Sequence, residues 1–136
     1  MAEGERPSPD ESIWQEIRFL KALVDRLPRD RRLLNQLATL YTEHGLFEEG
    51  LALDQRLAKK YPDDSAVLYD LACSLTLCGQ LDAALEALKE AVSAGYDEAE
   101  WMMKDRDLAV LRGNPEFLRL VGRIINGRTE LDSDLG

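Results

Sequence analysis

Residues 65–98 read SAVLYDLACSLTLCGQLDAALEALKEAVSAGYDE, and residues 31–64 read RRLLNQLATLYTEHGLFEEGLALDQRLAKKYPDD. Laid over one another, the two stretches match at a period of 34 residues. Leu34 falls on Leu68, Leu37 on Leu71, Ala38 on Ala72 and Gly45 on Gly79. Tyr41 meets Leu75, Phe47 meets Leu81 and Leu57 meets Ala91, while Pro28 and Pro62 precede equivalent points. Self-similarity at such a period marks a repeated supersecondary unit that buries its apolar face against a neighbouring copy.

The second copy shows what the unit is. Leu68, Leu71, Ala72 and Leu75 recur at i, i+3, i+4 and i+7, which is one stripe of a helix. Gly79 can take the left-handed conformation that ends it. Leu81, Ala84, Leu85, Leu88, Ala91 and Val92 then form a second stripe. Small residues at Ala72 and Ala84 let the two helices approach closely. Asp64 or Ser65 suits the N-cap of the first helix. Pro62 cannot continue the helix before it and belongs in the turn between copies.

With these residues, Leu68, Leu71-Ala72, Leu75, Gly79, Leu81, Ala84, Leu88 and Ala91, the chain resembles the tetratricopeptide repeat (TPR) family. The first copy contributes Leu34, Leu37-Ala38, Tyr41, Gly45, Phe47, Leu57 and Pro62; it departs from the family pattern at Gly50 and Asp54, which implies a looser second helix, and the second copy departs at Tyr96, where Pro is usual. The resemblance implies an all-α fold, a TPR-type helix-turn-helix solenoid (α-α superhelix) of about seven helices. It also implies a concave groove lined by the first helix of each pair. In the first pair the lining positions are Arg32, Asn35, Gln36, Thr39, Thr42 and Glu43; in the second they are Ala66, Tyr69, Asp70, Cys73, Thr76 and Leu77. Such a groove takes an extended peptide or a helix. The carboxylate clamp of some family members is not expected, because Asp70 stands where that clamp has its second Asn.

Both flanks carry helical patterns. Upstream, Ile13, Trp14, Ile17, Leu20, Leu23, Val24 and Leu27 predict a capping helix over 12–27, started by Ser12 or Asp10 and stopped by Pro28. Downstream, Trp101, Asp105-Arg-Asp107-Leu108, Leu111-Arg112 and Asn114-Pro115-Glu-Phe117 resemble the segment that closes many bacterial TPR arrays. A short helix is expected near 98–104, and a last helix, capped by Asn114, with the stripe Phe117, Leu118, Val121, Ile124 and Ile125, ending at Gly127. The expected organisation is a disordered tail over 1–11, one domain over 12–127 and a flexible acidic tail over 128–136. That domain holds the capping helix, repeats at 31–64 and 65–98 and a closing segment at 99–127, an array capped at both ends.

Composition excludes several classes. Lys and Arg total 17 against 26 Asp and Glu, a net charge of -9. Binding to nucleic acid or to an anionic membrane needs a basic face, so neither is expected. No apolar run is long enough to span a bilayer, and the N-terminus lacks a signal-peptide pattern, so a cytoplasmic location is expected. Within 65–98, six acidic residues face one lysine, which favours a basic or amphipathic peptide as partner.

No residue pattern points to catalysis, a cofactor or a metal. Cys73 and Cys78 are five apart, about 140° around a helix, and read as small apolar residues without ligand partners. His44 reads as a helix-end residue before Gly45. Asp63-Asp64, Glu48-Glu49 and Asp105/Asp107 read as helix caps. Trp14 and Trp101 read as packing residues of the two caps. Met102 and Met103 suit either core or contact surface. The expected function is a non-enzymatic adaptor or scaffold that binds another protein. The alternatives are a homodimer formed through Trp101, Met102 and Met103, and a secretion-type chaperone for a hydrophobic client segment. The chain is expected as a monomer or a homodimer.

Overall fold

The computed structural model describes residues 8–135, and the side chains of residues 8–128. Among the described residues the chain is all-α, as the periodicity predicts. In order come α1 (Glu11–Arg26), α2 (Arg31–Glu43), α3 (Phe47–Lys60), α4 (Ser65–Leu77), α5 (Leu81–Ser93) and α6 (Ala99–Lys104), then a 3₁₀ turn (Arg106–Leu111) and α7 (Pro115–Leu135). The chain divides into two compact units at the joint between the repeats, after Pro62.

In the first unit α1 packs on α2, and α2 on α3. Asp10 caps α1 by accepting the Ile13 N–H, and Asp30 caps α2 by accepting from Arg32 and Leu33. Ile17 and Val24 of α1, Leu34, Leu37, Ala38 and Tyr41 of α2, and Leu51 and Leu57 of α3 are buried. At the end of α2, Gly45 adopts φ 80°. The Leu46 N–H then reaches back to the Tyr41 carbonyl and the Gly45 N–H to that of Thr42. This pair of bonds satisfies carbonyls that the helix end leaves open. Gly79 and Gly95 end α4 and α5 in the same way.

The looser helix predicted from Gly50 and Asp54 is not found. Gly50 is buried where α3 crosses α2: a Cβ there would stand 2.6 Å from Thr42 Oγ1 and 3.4 Å from the Ala38 carbonyl. The missing side chain is what lets the helices meet. Asp54 is also buried, and it is partnered.

In the second unit α4 pairs with α5, with Ala72 and Ala84 fully buried as close-approach residues. Asp64 caps α4. α6 packs on the 3₁₀ turn and on α7, and α7 packs on α5. Leu88, Met102, Leu108, Leu111 and Phe117 are the largest fully buried side chains. Asn114 caps α7, accepting from the Glu116 and Phe117 N–H groups. The buried stripe of α7 is Phe117, Leu120, Val121 and Ile124; Leu118 and Ile125, expected in it, are exposed. They lie one residue further round the helix, about 100° from Phe117 and Ile124.

Both tails depart from expectation. Residues 1–7 lie outside the described residues, but Asp10 and Glu11 belong to the start of α1. Gly127 does not end α7, which runs on to Leu135. Its φ is not positive, unlike that of Gly45, Gly79 and Gly95. The next residue, Arg128, turns back to α6: its Nη1 lies 2.8 Å from Glu100 Oε1, and its Nη2 donates to the Asp97 carbonyl. That tether favours continuing the helix over leaving it.

Candidate functional site

The two expected groove faces have different fates. On α2, the Leu34, Leu37, Ala38 and Tyr41 stripe faces the core. Arg32, Asn35, Gln36, Thr39 and Glu43 stand on the other side, as helical spacing requires. Thr42 is half-buried and donates its hydroxyl to the Ala38 carbonyl at 3.0 Å.

On α4 the expectation fails in part. Asp70 is exposed and Leu77 is half-buried, but Tyr69, Cys73 and Thr76 are buried. Ala66 opens the helix and stays accessible. Thr76 turns its hydroxyl onto the Ala72 carbonyl at 2.7 Å. Tyr69 and Cys73 are engaged by Asp105, which sits between α6 and the 3₁₀ turn. The chain's own closing segment thus takes up positions that the resemblance assigned to a ligand.

Asp105 organises this buried cluster. Its Oδ1 accepts the Asp107 N–H at 3.0 Å, so it caps the 3₁₀ turn as expected. Its Oδ2 also accepts the Tyr69 hydroxyl at 2.5 Å and the Cys73 thiol at 3.8 Å. Arg112 donates to the Asp105 backbone carbonyl at 3.1 Å. These contacts give the carboxylate itself neutral donors. Tyr96 stacks on Tyr69, with ring centroids 4.3 Å apart and planes within 3°. The Tyr96 hydroxyl is buried and makes no hydrogen bond.

The surroundings keep these groups protonated. Burial pushes the Cys73 thiol well up, and the carboxylates of Asp105, Asp107 and Asp70 push it further. Burial likewise raises the Tyr69 hydroxyl, with Cys73 and the bond to Asp105 adding to it. Tyr96 rises chiefly through burial. A thiol so placed is a poor nucleophile.

The sequence reading of Asp105 as a cap is correct but incomplete. Its partners on α4 lie 36 and 32 residues away, and no local pattern links them. The readable signal is coarser: two donors four residues apart on the groove face of α4, and an Asp-x-Asp opening the closing segment.

The remaining candidates fall as follows. Met102 is core at 0% exposed, whereas Trp101 and Met103 are 49% and 39% exposed. Trp101 and Trp14, expected as packing residues, are both partly open, since each lies beside rather than on its helix's buried stripe. His44 is the C-cap of α2. Cys78, at the end of α4, is half-buried and forms no disulfide. No helix among the described residues is long and apolar enough to cross a membrane.

The chain is an all-α run of helical hairpins with a closing segment folded onto one of them. Residues 29–132 match the family described as A/B hydrolase-like, N-terminal domain, and the chain belongs to that family. It is also similar to a chloroplastic protein of Arabidopsis thaliana, with 29% identity over 102 residues. That match covers 73% of this chain and 30% of the relative, so the chain spans under a third of the relative's length. No solved structure matches the chain significantly.

Proposed function

We propose that this chain is a non-enzymatic protein-interaction module of the tetratricopeptide type, and that a peptide or helix of a partner protein docks on the polar face of α2. One observation carries the reading. α2 buries a complete apolar stripe while holding Arg32, Asn35, Gln36, Thr39 and Glu43 on the opposite side. Asn and Gln side chains can bond a partner's backbone in both directions, donating and accepting. The 34-residue repeat supports the family assignment within an all-α chain. A catalytic reading has less support, because Cys73 is held protonated and His44 caps a helix in the other unit.

The partner's chemistry follows from charge. Residues 63–136 hold seven basic and fifteen acidic residues, so nearly all of the net -9 lies there. A basic or amphipathic segment is favoured, in a cytoplasmic setting where the two thiols form no disulfide. The test is site-specific photocrosslinking in cells from position 35 on α2 and, as control, from position 59 on α3. A discrete adduct from position 35 only, lost on Gln36→Arg, supports the reading. Equal adducts from both positions, or none from 35, overturn it.

A second reading is favoured by the half-exposed Trp101 and Met103. Apolar surface of this kind suits self-association. Light scattering on the eluting chain distinguishes them: a salt-resistant dimer that Trp101→Ser returns to monomer supports a homodimer, and a monomer at all salt concentrations removes it.

A further inference from the structure

We propose that Cys73, Asp105 and Asp107 form a binding site for one thiophilic divalent cation of the zinc class, within the second unit. The inference is independent of the docking face on α2. Cys73 Sγ and one carboxylate oxygen from each aspartate lie within 4.8 Å of one another. Cys73 and Asp105 are buried and Asp107 is half-buried. In a tetrahedral site, bonds of about 2.3 Å to sulfur and about 2.0 Å to oxygen put those two ligands about 3.5 Å apart. Cys73 Sγ and Asp105 Oδ2 stand 3.8 Å apart, close to that spacing.

Three further observations converge on the same place. The Asp105 carboxylate is buried with hydroxyl, thiol and amide donors, an arrangement whose charge a bound cation would balance. The Tyr96 hydroxyl is buried and makes no hydrogen bond of normal geometry, and it belongs to this cluster: its ring stacks on Tyr69, and Tyr69, Cys73 and Asp105 all act on it. Its unmet hydrogen-bonding capacity is of the kind that a water on a bound ion satisfies. The unit also carries fifteen acidic residues against seven basic ones, which concentrates cations around it.

Binding requires the Cys73 thiol to lose its proton to the buffer as the sulfur–metal bond forms. The carboxylates that oppose an uncompensated thiolate then help hold the cation. Tyr69 keeps its bond to Asp105 and orients that carboxylate, as outer partners of metal ligands do.

The experiment is titration of the full chain with Co(II), followed by displacement with Zn(II). The expected result is one cobalt per chain, a thiolate-to-cobalt charge-transfer absorption, and release of one proton, read as dependence of the calorimetric heat on buffer ionisation enthalpy. The absorption vanishes in Cys73→Ser and persists in Cys78→Ser. Asp107→Asn weakens binding at least about tenfold, because it removes a charged ligand while leaving the buried pair in place. Absence of the charge-transfer band in the folded wild type overturns the proposal. So does a band that survives Cys73→Ser, depends on Cys78, or is indifferent to Asp107→Asn. Circular dichroism checks each variant's fold, and Asp107→Asn decides the matter should Cys73→Ser not fold.

Discussion

Single residues carry two sharp expectations. Gly50 sits mid-helix, where alanine would ordinarily be the better helix former by about 1 kcal/mol. Its missing Cβ, however, makes room for Thr42 Oγ1 at the helix crossing, since the added carbon would stand 2.6 Å from that oxygen. Overpacking costs about 1–3 kcal/mol, so Gly50→Ala should be net destabilising in urea unfolding. In a Thr42→Ala background the obstructing oxygen is gone, and the same Gly50→Ala change should become neutral or stabilising by up to about 1 kcal/mol. Additive effects in the double mutant would show that the clash is not what the glycine avoids. The second expectation concerns the buried thiol and the two stacked tyrosines. All three bind their protons more tightly folded than unfolded. Their contribution is therefore complete below the unfolded thiol pKa of about 8.5 and declines as pH rises beyond it, with the tyrosines adding from about 10. Metal-free protein should lose melting temperature from pH 8 to 10, and Cys73→Ser should flatten the first part of that loss. Tyr69→Phe keeps the ring stack but strips a donor from Asp105, and should cost about 1–3 kcal/mol at pH 7 by denaturant unfolding.

At the scale of elements, the contrast between glycines shows why some helix ends are legible and one is not. Gly45 and Gly79 occupy equivalent repeat positions, follow a finished apolar stripe, and do adopt positive φ. Gly127 looks the same in one dimension, yet α7 passes through it. The difference lies in Arg128, whose ion pair with Glu100 on α6 is a contact between residues 28 apart. A local pattern carries no trace of it. The two glycines should therefore respond oppositely to alanine. Gly127→Ala meets open space and should stabilise by up to about 1 kcal/mol. Gly79→Ala, at φ 78°, should destabilise by about 1–2 kcal/mol. Thermal melts of both variants suffice, and a loss in Gly127→Ala would mean that the helix ends there after all. The boundaries of α2 to α5 are readable because caps and stripes repeat twice and check one another. The closing segment is readable as a motif, but its 3₁₀ turn and its seat on α4 are not, since a single copy offers no such check.

Over the whole molecule, the site is half legible for a related reason. Helical spacing tells which side of α2 and α4 faces away from their own cores, and on α2 the residues of that side are exposed. It does not tell what later chain folds over that side, and Asp105 does so on α4. On the proposed function, the polar face of α2 supplies contacts to a basic segment, and the acidic surplus of the chain supplies long-range attraction. Long-range charge acts before contact and sets the association rate; short-range hydrogen bonds act after contact and set dissociation. The screening length falls from about 10 Å at 0.1 M salt to about 3 Å at 1 M. Stopped-flow binding of a lysine-rich amphipathic peptide should therefore slow roughly tenfold in association over that range, with dissociation little changed. Asp70→Lys, at an exposed position of α4, should lower the association rate at low salt and matter little at high salt. Asn35→Ala with Gln36→Ala should do the reverse, speeding dissociation at both salt concentrations. If the α2 double variant left dissociation untouched while Asp70→Lys abolished binding at every salt concentration, the peptide would be held by the acidic surface of the second unit, and the α2 face would have no part in it.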